Sequence, residues 1–339
     1  MTAPPVLVTL VTGPCRSLRA EAAALVADRV GECRTSDGSD IDIDALVARI
    51  DDAAPEATSD GTAITIALGV DDVYAPDEVG FALQAALSSR IRCERHERPI
   101  HVRDVIAVVR GDELDRLVNP HRDDGEGTSA QRIATRVEYA TAVIVVGEAP
   151  ARAADLAYAL NPRAPILLVD RPASVGAYRF RRLIRPPVDD LASEQGWMLA
   201  LSDRAPRLPR GVNSVVFRDP RPFHPGRLDE VVRVCLTPQN VGTIWRSRGV
   251  VRLASRAGAV GSWSSAGAHL NLDPTGLTDD EPDIISGQEI VFVGERLRET
   301  EITRALGAAL LADDELMAGP MEWASYSDPF PAWDRGHAH

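Results

Sequence analysis

The sequence predicts an α/β protein in which a mostly parallel sheet is followed by a smaller α+β domain. Through the first part of the chain, short apolar runs rich in β-branched residues alternate with helical stretches. These runs lack polar alternation, which is typical of strands covered on both faces and therefore of a parallel sheet. The last third instead carries several strands in close succession with few helices between them, which indicates an α+β arrangement.

The predicted elements follow from these patterns in order. Five strands are expected in the first part: Val6–Thr12, Thr62–Leu68, Val105–Val109, Ala142–Val146 and Pro165–Val169. Five helices are expected between and after them: Leu18–Val30, Ile43–Asp51, Asp77–Ser88, Ser129–Glu138 and Ala151–Leu160. The second part is expected to contain strand Val212–Phe217, helix Phe223–Leu236, strands Val250–Ser255, His269–Leu272 and Glu289–Val293, and helix Glu299–Leu311. A linker rich in arginine and proline, Asp203–Gly211, separates the two, so we predict domains over 1–205 and 212–334.

The turn after the first strand has the position of a phosphate-binding loop without its residues. Counted from Gly13, the pattern G-x-x-x-x-G-K-[ST] requires glycine, lysine and a hydroxyl residue where the chain has Leu18, Arg19 and Ala20. The chain contains no lysine at all. Ala20 offers no oxygen to Mg²⁺, and the planar fork of Arg19 is a poor substitute for a compact ammonium. Gly13 and Arg19 are the remaining candidates for contact with a nucleotide.

Composition restricts the class of partner. The formal net charge of −13 argues against broad nucleic-acid binding, which requires a basic surface. No apolar run is long enough to span a membrane, and the N-terminus lacks the pattern of a signal peptide, so a cytoplasmic protein is expected. The four cysteines are far apart in sequence and form no C-x-x-C pair, which predicts reduced thiols.

Four sequence motifs in the last third of the chain resemble those of a known family. They are Arg221-Pro-Phe-His-Pro-Gly-Arg-Leu228, Arg246-Ser-Arg-Gly-Val-Val-Arg-Leu-Ala254, Gly261-Ser-Trp-Ser-Ser-Ala-Gly267 and Ser325-Tyr-Ser-Asp-Pro-Phe-Pro-Ala-Trp333. Together they resemble the C-terminal domain of the CobW-like family of metal-homeostasis GTPases. The last of these motifs, together with Asp313-Asp-Glu, is most similar to the actinobacterial branch of the family, which recruits a ribosome hibernation factor under zinc limitation.

This resemblance implies a GTPase-like first domain whose motifs can be compared one by one. The family strand that ends in Val-Val-Asp corresponds to Val108 and Val109 followed by Arg110. The guanine-specifying Asn-Lys-x-Asp corresponds to Gly147-Glu-Ala-Pro150. Between Val30 and Thr62, where the family carries its cysteine-rich metal motif, the chain has only Cys33. GTP with Mg²⁺ and zinc are therefore expectations of the family that these motifs do not support.

Three further groups of residues have two possible interpretations each. Cys93, His96 and His101 could form a zinc site with ligands at short spacing, or lie in a solvated loop. His224 could have a functional role, but capping or packing is favoured. The aromatic residues near the end could form a partner surface or a small core: Trp245, Trp263, Trp323, Phe330 and Trp333.

The sequence thus favours a non-hydrolysing, GTPase-fold scaffold linked to zinc-responsive ribosome hibernation. Its expected partner is a hibernation factor, the ribosome, or an intact CobW-like relative. The alternative is a GTP-dependent zinc metallochaperone in which Arg19 replaces the lysine and Cys93, His96 and His101 bind the metal.

Overall fold

The computed structural model describes residues 6–26, 29–32, 43–53, 64–71, 79–80, 82–83, 85–86, 100–118, 127–148, 152–176, 196–201, 206–267, 269–279 and 287–333. The chain divides into two compact units. One is drawn from Met1–Asp115 and Arg132–Gly196, and the other from Arg116–Gln131 and Trp197–His339. None of the described helices is long and apolar enough to cross a membrane.

The first unit is built on a six-stranded parallel sheet. Its strands are β1 (Val6–Thr12), β2 (Arg29–Glu32), β3 (Ile64–Val70), β4 (Ile100–Arg110), β5 (Ala142–Val146) and β6 (Ile166–Val169). They are arranged in the order β2-β3-β1-β4-β5-β6, and every pair is parallel. The helices up to Leu201 are α1 (Arg16–Ala23), α2 (Ile43–Ala53), α3 (Gly111–Val118), α4 (Gly127–Glu138), α5 (Ala153–Leu160) and α6 (Gly196–Leu201).

Strand β1 lies in the interior of this sheet, and its side chains, which alternate between the two faces, pack into the core on both sides. Val6, Val8 and Leu10 belong to one buried cluster, whereas Val11 belongs to another that also contains Ile106 of β4. Successive side chains of a strand point to opposite faces, so a strand covered on both sides must be apolar throughout. The run of valine and leucine in β1 is therefore the reason that it lies between β3 and β4.

The second unit is built on a five-stranded antiparallel sheet. Its strands are β7 (Val212–Asp219), β8 (Thr243–Val251), β9 (Ala259–Ala266), β10 (His269–Thr278) and β11 (Gln288–Glu295), in the order β10-β9-β8-β11-β7. Its helices are α7 (Pro225–Glu230), which continues as a π-helical turn over Val231–Cys235, α8 (Pro238–Val241), α9 (Glu299–Ala309), α10 (Asp313–Ala318) and α11 (Pro320–Trp323). Trp263, Phe292 and Leu306 lie in its buried core.

The fold class predicted from the sequence is confirmed: a parallel α/β sheet followed by an antiparallel α+β unit. The predicted helix Leu18–Val30 is wrong at its end, because α1 stops at Ala23 and β2 begins at Arg29. Pairing of β2 with β3 thus overrides the local helical pattern.

The strand predicted over Val250–Ser255 is also wrong. Strand β8 ends at Val251, and Ala254–Arg256 forms a 3₁₀ turn instead. The prediction missed β9 entirely, because its glycine, serine and alanine residues have weak strand propensity.

Candidate functional site

The candidate site lies at the carboxyl end of β1. In open parallel sheets, ligands bind beyond the carboxyl ends of the strands, where neighbouring connections run in opposite directions. Strand β1 lies between β3 and β4, and the chain crosses from one side of it to the other between these strands. Gly13 follows β1 directly, and α1 begins three residues later at Arg16.

Gly13 is required by a close approach to the neighbouring strand. A Cβ atom at this position would lie 3.1 Å from both Cβ and the carbonyl oxygen of Val108 on β4. This is tighter than ordinary van der Waals contact, so a larger residue would push the turn away from the sheet. The predicted loop glycine is therefore present for packing, whether or not a ligand binds there.

The side chain of Arg19 is turned into the protein rather than out of the loop. Arg19 lies on α1 and is only 4% exposed. Its Nη1 donates a hydrogen bond to the carbonyl oxygen of Gly13 at 2.8 Å, and its Nη2 pairs with Oδ2 of Asp71 at 3.2 Å. The guanidinium of Arg19, which stands in the position of the loop lysine, thus binds the backbone of the turn itself.

Asp71 is a site residue that sequence reasoning missed. It follows β3 directly and is half-exposed, so its carboxylate reaches Arg19 from the neighbouring strand end. The available signal was the acidic residue immediately after a buried strand, because carboxyl ends of adjacent parallel strands meet at one edge of the sheet.

Arg110 occupies the end of β4, where the resemblance implies an aspartate. It forms a two-point ion pair with Asp112, with Nε–Oδ1 and Nη2–Oδ2 distances of 2.9 Å each. Hydrogen bonding to this carboxylate raises the pKa of Arg110. The backbone N–H of Arg110 donates to Oε2 of Glu113 at 2.7 Å, which fixes the start of α3.

The other predicted binding residues are not brought together by the described structure. His101 lies on β4 with its side chain exposed, and the proposed metal partners Cys93 and His96 lie outside the described residues, as does Cys33. No group of three or more histidine, cysteine, aspartate or glutamate side chains in the described part of the chain could hold a metal ion.

The phosphate-loop position therefore does not fit Mg·GTP. Leu18 and Ala20 lack the required backbone freedom and hydroxyl, Arg19 is engaged by the protein itself, and the end of β4 presents a cation in place of a magnesium ligand. We derive no hydrolytic step from this site.

A histidine caps helix α7 of the second unit. His224 precedes α7, and its Nδ1 accepts a hydrogen bond from the backbone N–H of Arg227 at 3.4 Å. Its ring stacks on Tyr326 with 4.7 Å between centroids. Burial, followed by the charge of Arg227, lowers the pKa of His224. The favoured interpretation of His224 as a capping and packing residue is confirmed.

Arg227 joins α7 to the C-terminal segment. It pairs with Glu315 at 2.6 and 2.8 Å and donates to the carbonyl oxygen of Leu310 at 2.8 Å. Hydrogen bonds from Arg227 are the main reason that the pKa of Glu315 falls to about 2. The helix that carries Glu315 is thus held by a charge-assisted pair.

The aromatic residues divide between core and periphery. Trp245 and Trp263 are buried, which supports the interpretation of these two residues as part of a core. Trp333 packs partly on the core and stacks on Arg256, whose guanidinium carbon lies 4.3 Å from the ring centroid. Its Nε1 donates to the carbonyl oxygen of Leu272 at 2.9 Å.

Comparison with known proteins finds a domain similar to part of the second unit. Residues 212–310 match the cobalamin synthesis protein CobW C-terminal domain. The chain is 34% identical over 148 residues to the zinc chaperone Rv0106 of Mycobacterium tuberculosis, a match that covers 37% of this chain and 36% of that protein. It is 28% identical over 165 residues to zinc-regulated GTPase metalloprotein activator 1 of Dictyostelium discoideum, covering 41% of this chain and 34% of that protein.

The chain thus spans about a third of the length of these curated relatives. A solved structure, the Zn(II)-bound YjiA GTPase from E. coli, aligns with 91% of this chain and 99% of its own, at 14% identity and a TM-score of 0.35. A likeness at that score supports no further conclusion. The family match is confined to residues 212–310, which are similar to the CobW C-terminal domain.

Proposed function

We propose that this chain is a CobW-like protein that does not hydrolyse GTP and acts as a scaffold by binding another protein. The observation that carries this proposal is the position of Arg19. A phosphate loop needs a cation that reaches outward to the β and γ oxygens of the nucleotide. Here the cation is buried and bound to Gly13 and Asp71.

The setting of the scaffold is proposed from the resemblance and from the relatives. The last sequence motifs of the chain resemble those of the branch that recruits a ribosome hibernation factor. Two relatives are named for zinc, as a zinc chaperone and as a zinc-regulated GTPase metalloprotein activator. We propose that the chain contributes to zinc-responsive ribosome hibernation in the cytoplasm, with a hibernation factor, the ribosome or an intact CobW-like relative as partner.

Affinity purification tests the scaffold role. The tagged protein is recovered from zinc-starved and zinc-replete cells of its source, and the bound proteins are identified by mass spectrometry. Enrichment of a hibernation factor or ribosomal proteins under starvation supports recruitment. Recovery of an intact CobW-like relative alone supports a modulator of that relative. An identical, background-level protein set in both conditions contradicts the scaffold.

A second candidate function is a GTP-dependent zinc metallochaperone. The names of the two curated relatives favour it. It requires zinc binding by Cys93, His96 and His101, so Cys93→Ala with His96→Ala would abolish stoichiometric zinc binding measured by metal analysis after dialysis. Failure of the wild-type protein to bind zinc would exclude this candidate without any variant.

A further inference from the structure

We propose that the C-terminal segment of the second unit is a docking surface for a basic, amphipathic segment of a partner protein. This inference deepens the scaffold function and rests on it, because it names the surface by which the scaffold binds. The surface comprises helices α10 and α11 and the cavity beside them, and we call it the methionine face.

Two methionines on consecutive short helices are almost fully exposed. Met317 on α10 is 87% exposed and Met321 on α11 is 94% exposed, whereas the other exposed large apolar residues in the described structure range from 37% to 58%. Single exposed apolar side chains are normal. Here two such residues lie four positions apart on consecutive helices, and unbranched, polarizable methionine adapts to varied partners.

The segment that carries these methionines is firmly held. Glu315 pairs with Arg227 of α7, and the indole Nε1 of Trp323 donates to the carbonyl oxygen of Glu315 at 2.6 Å. Further along, Asp328 accepts hydrogen bonds from Ser255 at 2.6 Å and Arg256 at 2.8 Å. The methionines are therefore presented on a fixed support, and little ordering cost remains for binding.

A cavity of about 370 Å³ adjoins α11. Its walls include Pro220, Pro222, Pro320 and the ring of Trp323. Its two arginines, Arg252 and Arg256, are each paired with a carboxylate, of Asp279 and Asp328 respectively. The wall of the cavity is therefore formed partly by apolar rings and partly by these ion pairs.

Charge identifies the partner that fits this face. Residues 312–333 contain five carboxylates and no lysine, arginine or histidine, and two of the five, Glu315 and Asp328, are paired with Arg227 and Arg256. Asp313, Asp314 and Glu322 are exposed on the same two helices as the methionines. Such a rim attracts lysine and arginine side chains and repels acidic partners, including the phosphate backbone of RNA. An amphipathic basic segment would place apolar side chains on the methionines and cations on the rim.

Fluorescence anisotropy with a labelled synthetic leucine–lysine amphipathic helix tests the proposal on the full chain. We expect saturable binding, weakened about tenfold by Met317→Ser with Met321→Ser. Neutralising two of the three rim carboxylates with Asp314→Asn and Glu322→Gln should also weaken binding and reduce its salt dependence. Val234→Ser and Asp273→Asn, exposed positions elsewhere on the second unit, are the matched controls and should leave binding unchanged.

Absence of binding, or binding weakened equally by the control variants, would overturn the proposal. So would a dimer of the chain that Met317→Ser with Met321→Ser dissociates, because the face would then bind a second copy. A leucine–glutamate helix serves as the probe for charge and should not bind. None of these results depends on nucleotide, so GTP hydrolysis by the protein would refute the non-hydrolysing function and leave this test intact.

Discussion

Replacing Arg19 with methionine tests how the turn after β1 is closed. Methionine keeps an unbranched apolar stem but removes the guanidinium and its hydrogen bond to Gly13. A buried hydrogen bond from a charged donor contributes about 1.5–3 kcal/mol. The pair with Asp71, whose side chain is 44% exposed, adds about 0.2–1 kcal/mol because solvent screens it. We expect Arg19→Met to lower the free energy of unfolding of the first unit by about 2–4 kcal/mol.

The tryptophans make this effect assignable to one unit. All five lie at residue 197 or later, so intrinsic fluorescence follows the second unit, whereas far-ultraviolet circular dichroism follows both. In urea, Arg19→Met should shift the dichroism transition to lower concentration and leave the fluorescence midpoint unchanged. Arg16→Met, an exposed position on the same helix, is the control and should change stability by less than about 0.5 kcal/mol.

An Arg19→Met protein as stable as Arg16→Met would refute the reasoning. It would mean that the guanidinium of Arg19 does not close the turn and remains available to a ligand. Asp71→Asn separates the two contacts and should cost less than about 1 kcal/mol, since the hydrogen bond to Gly13 survives.

Three further predictions concern the second unit and use tryptophan fluorescence as the measurement. Gly249→Ala should destabilise it by more than about 3 kcal/mol, because the new Cβ would lie 2.0 Å from the carbonyl oxygen of Glu289. Glu315→Gln should cost about 2 kcal/mol at neutral pH by weakening the charge-assisted pair with Arg227. Trp333→Ala should cost about 3 kcal/mol through lost packing, a lost cation–π contact and a lost hydrogen bond to β10.

Each of these has its own check. Gly276→Ala, where nothing lies within 4 Å of the new Cβ but φ is +76°, should cost only about 1 kcal/mol. For Glu315, hydrogen bonds from Arg227 hold the pKa of the folded state at about 2, below the ordinary 4.5. The carboxylate therefore stabilises the fold fully above the unfolded pKa, and this contribution is lost as the pH falls through the folded value.

The difference in stability between the wild type and Glu315→Gln should consequently be constant above about pH 5.5 and shrink between about pH 4.5 and 2. A difference that persists unchanged at low pH would contradict the assigned pair.

For Trp333, Trp333→Phe should recover part of the lost stability by covering Gly261. The indole lies so close to this glycine that no Cβ could be accommodated there.

The parallel sheet could be predicted because its strands are apolar on both faces. Apolar runs such as β1 and β5 can be recognised as strands from the local sequence, without knowledge of the strands that they pair with. It did not predict β2 or β9, whose conformations depend on pairing with neighbouring strands. Local propensity carries little information about a serine- and glycine-rich strand held by a sheet on both sides.

The candidate site was predicted only in part. The missing motif at Leu18, Arg19 and Ala20 was visible in the sequence, but the direction of the Arg19 side chain was not. Its partner Asp71 lies 52 positions away along the chain and comes close only through the pairing of β1 with β3. The exposure of Met317 and Met321 likewise depends on how α10 and α11 pack, which no periodic pattern revealed.

Isothermal titration of the full chain with GTP in the presence of Mg²⁺ tests the central claim most directly. A matched variant with Leu18→Gly, Arg19→Lys and Ala20→Ser restores the loop pattern and shows whether these residues decide the outcome. We predict no binding by the wild type at physiological nucleotide concentrations. Micromolar, magnesium-dependent binding by the wild type would contradict the claim that Arg19 closes the phosphate loop.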